Sequence, residues 1–467
     1  MVLLAAEPEV VLVNPNRWKP GVPPRLLDYL GASLESAGIS SDILDLCHYR
    51  NPRRALRDFF VGKRPKLVGV TFRNLDDISF GLSFLNELTR VVTDIRRAAP
   101  DAAIVLGGSG FSIAAEAILS FLSDCDVELG VQGEGEEALP LLYKHLGDIS
   151  KYPSIPGLVY KKDGGFVRNH IGAMSLENFV VPKSSRLNLK FYFPNEAKQG
   201  CMGIQTKRGC YSQCSYCIVP NIGGLGMRLR PAASVVDEME YLMKQGVNRF
   251  FITDSEFNEP EEHAKGICEE ILHRGLQDEI LWWVYTSPKD FSPELASLMK
   301  RAGCRRNYCS IDSACDEVLE NLQKRHRVEH IVKAVEAARQ ADLHSVYCLT
   351  VGGPGETMTT LERTTEFLLR HRPINVDLVD VPGIRVYPNT PIADLVLQEG
   401  FCRKNRNLRG KIDGNEELLF PVYYFSAQLG LIPNMVTTWR HLGYFYNCLF
   451  PKTRRGIVRL RLIRQPA

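Results

Sequence analysis

The stretch TKRGCYSQCSYCIVP, residues 206–220, decides how this chain is read. It places Cys210, Cys214 and Cys217 in one loop with apolar flanks. Three close thiols admit three readings. A structural zinc wants four Cys or His ligands, and the spare candidates Cys201 and His263 stand at neither ribbon nor finger spacing. A redox pair would use Cys214 and Cys217 and leave Cys210 without a role. An iron–sulfur cluster on three protein thiolates leaves one iron open for a substrate or cofactor, and there three is the functional number.

Around that loop, from about 200 to 395, strand and helix patterns alternate. Strand candidates are residues 203–209, 249–254, 281–287, 306–312, 345–353 and 376–388. Six such units predict a partial (β/α)6 barrel over 201–400, with chemistry at the carboxyl ends of its strands. The cysteines follow the first of them. Upstream, residues 1–150 also alternate, from VVLVN (10–14) through KLVGVTF (66–72) to AAIVLGG (102–108). This order predicts an α/β fold with a doubly wound, Rossmann-like parallel sheet. Ligands bind such sheets outside the carboxyl ends of the strands. The loops there are 14–21, 71–77, 107–112 and 133–137, most of them rich in Gly, Asn or Asp. Residues 151–200 read as a hairpin turning at Asp163-Gly164-Gly165, then a linker. Residues 401–467, aromatic-rich and then basic, read as a small, mainly helical C-terminal extension.

The bulk composition narrows the class. The chain has 467 residues, 45% apolar and 24% charged, which suits a soluble globular protein of two or three domains. A net charge of +3 gives no case for nucleic acid. No apolar run is long enough for a transmembrane span, and the start lacks a basic signal region, so a cytoplasmic protein is expected. Thirteen cysteines there are not a disulfide framework. Cys268, Cys309 and Cys348 sit in apolar segments as small hydrophobes.

The C-x3-C-x2-C spacing with Tyr216 before the last cysteine resembles the signature of radical SAM enzymes, and RLRPAASVVDEMEYLMKQGVNRFFITDSEFN (228–258) strengthens the likeness. The first 150 residues resemble the cobalamin-binding domain of one large branch of that superfamily. The resemblance implies a [4Fe–4S] cluster on Cys210, Cys214 and Cys217, S-adenosylmethionine (SAM) on the open iron, and cobalamin. For SAM it implies Tyr216, then Asp254, Ser255 and Glu256 in place of the commoner Gly-Gly-Glu. It adds Ser287, Ser310 and Asp312 at strand ends, Gly353 and Gly355 in GGPGET, and Tyr387 in RVYPNTP. Lys324 or Arg325 is implied as a partner for the methionine carboxylate, with an ordinary surface-helix cation as the alternative reading. For cobalamin the candidates are Asn14, Asn16, Thr71, Arg73, Asn74 and Asp76. Gly107, Gly108, Ser109, Gly133 and Glu134 complete the set, Gly108 because a side chain there would push the corrin away.

Residues 1–150 lack the Asp-x-His-x-x-Gly motif whose histidine ligates cobalt in many cobalamin proteins. His48 is the nearest alternative. The function implied is a cobalamin-dependent radical SAM methyltransferase. A 5′-deoxyadenosyl radical would activate carbon, and methylcobalamin would deliver the methyl group. The alternatives are cyclisation, oxidation or carbon–carbon coupling with cobalamin non-methylating or absent, and a non-catalytic binding module. With no second cluster motif, electrons come from an external flavodoxin or ferredoxin. The substrate expected is a small or lipid-like molecule.

Overall fold

Val10–Asn14 is buried along its whole length, as a central parallel strand covered on both faces must be. Val11 and Val13 pack with Leu56, Phe60, Leu88 and Val92 of helices 52–60 and 85–98. Val10 and Leu12 pack with Leu27, Leu34, Ala138 and Leu142 of helices 25–36 and 135–144. Period-two alternation thus builds two cores from one strand. The computed structural model describes residues 7–18, 21–77, 81–177, 179–182, 186–193, 200–371 and 376–430, with backbone alone over 376–382.

The first sheet runs 41–45, 10–14, 67–71, 103–107, 129–131, all parallel. The first strand lies between the second and third, so successive connections leave in opposite directions. That is a topological switch point, where open sheets of this kind hold ligands. Strands 158–162 and 165–168 continue the sheet antiparallel. The expected hairpin forms there, with Asp163 and Gly164 at φ 51° and 82°, both left-handed as a type I′ turn requires.

The second sheet holds six parallel strands in chain order: 202–204, 249–252, 281–286, 304–312, 345–351 and 376–382. Two expected strands end early. The first stops at Ile204, and Lys207–Cys210 instead forms an antiparallel ribbon with Gly226–Leu229. The last breaks at Gly383, φ 77°. Beyond it Ile384–Arg385 pairs with Val422–Tyr424, which also pairs with Leu408–Gly410. The described part of the C-terminal extension, 401–430, is therefore strands and one 3₁₀ turn rather than helix. Leu408, Val422 and Tyr424 bury with Ile384 in one cluster, which a pleated surface permits. Residues 431–467, with the rest of that expected extension, lie outside the described residues.

Buried ion pairs join the halves, among them two groups built on Glu238 and Asp76. Glu238, on helix 232–243, accepts from Arg25 Nη2 at 2.7 Å, Tyr29 Oη at 2.7 Å and Arg230 Nη1 at 2.8 Å. All four residues are buried. Asp76 accepts from Arg385 Nε at 2.8 Å, and both are likewise buried.

Candidate cofactor-binding site

A cavity of about 530 Å³ opens between the carboxyl ends of the two sheets. One wall is Asn14, Asn16, Thr71, Arg73, Gly107, Gly108, Ser109, Gly133 and Glu134. Leu12, Leu27, Val105 and Leu139 give it an apolar depth. The opposite wall is Gly203, Gln205, Lys207, Arg208, Thr253, Asp254 and Ser255. Each wall is made by strand ends, so both domains present their ligand-binding edge to one space.

The first wall holds every cobalamin candidate except Asn74 and Asp76. Asn74 is exposed, and its backbone closes on Gly110, where a Cβ would come within 2.8 Å of it. Asp76 turns away to pair with Arg385, and burial raises its carboxyl above the usual range despite that arginine. Tyr387, a SAM candidate, follows it: its hydroxyl lies 3.5 Å from Asp76 Oδ1. Both residues stand at the joint between domains. The reason for Gly108 also changes. A Cβ there would meet Thr71 Oγ1 at 2.8 Å and Phe72 O at 3.0 Å, so the glycine serves the fold's own close approach, at φ 98°. Asn14 donates to Asp45 Oδ1 at 2.9 Å and accepts from the Asn16 amide, fixing the first loop. Ser109 Oγ donates to Arg73 O at 2.8 Å and ties two of the loops together. His48 does not line the cavity; it stands 3.4 Å from Asp45 and packs on Phe191.

The cysteine loop sits at the edge of this space. Cys210 ends the ribbon; Cys214 is buried and Cys217 half-buried. All three are free thiols, and burial pushes Cys214 up to about 12. Among the described residues no three Cys, His, Asp or Glu side chains converge on a single ion. The loop is anchored by the Ser215 amide, which donates to Leu322 O at 3.0 Å. Gly353 and Gly355 pack on Leu322 and Asn321 from the other side, so the glycine loop backs the turn that grips the cysteines.

Above the barrel strands, Tyr216 Oη donates to Asp312 at 3.0 Å, and Lys324 Nζ reaches Asp312 Oδ2 at 2.6 Å. Thr350 Oγ1 adds a bond of 2.6 Å. Burial alone would raise Asp312, but Lys324 and these hydrogen bonds hold its carboxyl below the usual range. Lys324 is thus an interior cation, not a surface-helix lysine. Asp254 accepts from the Thr206 amide at 2.9 Å and from its hydroxyl. Ser287 N donates to Asn258 at 2.9 Å, and Ser310 is half-buried on the inner strand. Glu256 Oε2 is buried with no hydrogen-bond partner. Burial pushes its carboxyl up to about 8, with Lys324 opposing and Glu259 and Asp312 adding. An orphaned buried acceptor within electrostatic reach of all three thiols fits an ammonium group.

The radical SAM superfamily pattern matches residues 204–368, and the B12 binding domain pattern matches residues 19–143. The chain is 29% identical to tryptophan 2-C-methyltransferase of Streptomyces laurentii, over 87% of this chain and 77% of that one. The radical S-adenosylmethionine methyltransferase TsrM from Kitasatospora setae, solved with cobalamin and a [4Fe-4S] cluster bound, superposes with a TM-score of 0.80. Identity is 27%, over 96% of this chain and 89% of that one. A second TsrM structure, with tryptophan substrate and the SAM analogue aza-SAM, has a TM-score of 0.80 at 29% identity, over 93% and 88% of the two chains. This chain is a cobalamin-dependent radical SAM protein.

In this radical SAM protein several wall residues escaped the sequence reading. Gln205, Lys207 and Arg208 face the cavity from the residues just before Cys210. Lys207 is buried, and its ammonium donates to Phe257 O at 2.8 Å and to Glu259 O, clamping the loop that carries Asp254 and Glu256. The available signal was two basic residues, Lys207 and Arg208, separated from the first cysteine by Gly209 alone.

Proposed function

We propose that this chain is a cobalamin-dependent radical SAM C-methyltransferase acting on a small molecule. The observation that carries the reading is the shared cavity, which sets the carboxyl edges of both sheets against one space beside the cysteines. Cys210, Cys214 and Cys217 would hold a [4Fe–4S] cluster, and Asn14, Thr71 and the glycine turns at 107–108 and 133, which line the cavity, would hold cobalamin. When bound, the cluster and SAM supply a 5′-deoxyadenosyl radical and cobalamin supplies the methyl group.

The chain's residues bind and orient. Glu256 accepts from the methionine ammonium. Arg325 is taken by Glu259 at 2.7 Å, so Lys324 serves the methionine carboxylate with the proton that Asp312 and Tyr216 leave over. Ser310, half-buried on its barrel strand, would serve the ribose hydroxyls. The similarity to a tryptophan methyltransferase makes indoles the first substrates to test. The rings of Phe251, Tyr285 and Tyr308 support an aromatic one: they cluster on one face of the barrel sheet with centroids 5.3–6.1 Å apart. An external flavodoxin or ferredoxin supplies electrons in the cytoplasm. No helix among the described residues is long and apolar enough to cross a membrane.

The test is anaerobic turnover of reconstituted protein with reductant, SAM and tryptophan or indole analogues. The expected result is a methylated product with both 5′-deoxyadenosine and S-adenosylhomocysteine. Deoxyadenosine alone would replace methyl transfer by cyclisation or oxidation. S-adenosylhomocysteine alone would replace the radical step by polar transfer.

A further inference from the structure

The ribbon that ends in Cys210 has an internal conflict. Its register sets Arg208 directly opposite Arg228. Like charges facing each other across an antiparallel pair repel, and an isolated two-stranded ribbon is marginal in water. What resolves the conflict comes from the other domain. Glu134 ends the loop after strand 129–131, and Glu136 lies in the first turn of helix 135–144. Arg228 grips both oxygens of Glu134, with Nη1 at 2.9 Å from Oε2. Arg208 Nη2 pairs with Glu136 Oε1, and its Nη1 lies 3.6 Å from Glu134 Oε2. The side chains of Arg208, Glu134 and Glu136 are 8%, 10% and 5% exposed, so three of these four charges have almost no water to turn to.

The placement gives the quartet a further consequence. Arg208, Glu134, Gly135 and Glu136 all line the cavity. Cys210 and its register partner Gly226 lie two residues along the ribbon from Arg208 and Arg228, about 7 Å at strand rise. Three of the four charges therefore line the cavity, and all four together fix the strand that delivers the first cluster thiolate.

We propose that Glu134 and Glu136 are positioning residues that neutralise the opposed arginines and hold the Cys210 ribbon against the cavity, so that filling the cavity with cobalamin and loading the cysteines with iron and sulfide are energetically coupled. The inference rests on the proposed cofactor sites. Coupling between two sites is reciprocal, and a factor of about ten lies within its ordinary range.

The experiment measures the Kd of hydroxocobalamin by absorbance titration on the full chain, with and without a reconstituted cluster. Wild type is expected to bind about tenfold tighter when the cluster is loaded. Glu134→Gln leaves Arg228 without its counter-charge and is expected to bring that ratio close to one. The exchange Glu134→Arg with Arg228→Glu is expected to restore part of it, which a loss of fold would not allow. If Glu134→Gln does not fold, Arg228→Lys, which keeps the charge but not the fork, is expected to lower the ratio partway. A wild-type ratio of one, or an unchanged ratio in a folded Glu134→Gln or Arg228→Lys variant, overturns the coupling while leaving both cofactor sites standing. A wild-type chain that takes up no cobalamin or no iron overturns the cofactor assignment itself, and the coupling with it.

Discussion

Lys324 Nζ lies 2.6 Å from Asp312 Oδ2, with both side chains 6% exposed. Burial would strip Lys324 of its proton, but Asp312, with Tyr216, Cys214 and Glu256 adding, outweighs it, and the ammonium's pKa stands well above its ordinary value. The pair sits between the cysteine loop, through Tyr216, and the inner barrel strands, through Thr350.

Removing one partner leaves a buried charge alone. Asp312→Ala is expected to destabilise the chain by about 3–5 kcal/mol, read from urea unfolding. The double variant Asp312→Leu with Lys324→Met is expected to recover much of that stability while losing SAM binding by equilibrium dialysis. Equal losses in single and double variants would rule this pairing out as the cause.

The cysteines divide by role. Replacing Cys210, Cys214 and Cys217 together by Ala is expected to reduce iron and sulfide after anaerobic reconstitution to background. Cys201→Ala, nine residues before Cys210 in the sequence, is expected to keep a full load. Chemical iron and sulfide analysis of both decides the assignment.

Glu256 gives the cofactor-free chain a pH dependence. Its folded value, about 8, stands above the ordinary 4.5. Between these values the native state binds more protons than the unfolded state, so stability falls as pH rises through that window. Urea midpoints from pH 5 to 8.5 are expected to drop for wild type and to drop less for Glu256→Gln. Parallel curves would show that Glu256 is not the group responsible.

Gly108→Ala is expected to lower the Tm of the cobalamin-free chain, at a cost of about 1–3 kcal/mol. Its Cβ meets Thr71 and Phe72 rather than a ligand. An unchanged Tm with weakened cobalamin binding would return the glycine to the ligand.

Much of this was legible because it is local. Cys210, Cys214 and Cys217 share one loop, and VVLVN declares a covered strand by its β-branched run. The break at Gly383 was hidden inside VDLVDVPGIRVYP, whose apolar pattern runs through the turn. The pairing of Asp76 with Arg385 and Tyr387 could not be read because Arg385 is 309 residues from Asp76. Lys324 reads as an ordinary helix-end lysine until Asp312 is set beside it by the barrel. Partners chosen across such separations leave no period and no spacing in a single sequence.

Glu238 belongs to the barrel, yet Arg25 and Tyr29 of the first domain supply two of the three side chains that satisfy it. A chimaera cut in the linker and given a foreign first half would leave that carboxylate with Arg230 alone in a dry interior unless the graft brought its own arginine and tyrosine to the same spot. Exchange of the two halves of this chain is thus constrained by a buried cluster whose Arg25 and Tyr29 also line the cavity. Engineers who wish to move this barrel onto another cobalamin carrier must transplant residues 25, 29, 230 and 238 as one unit.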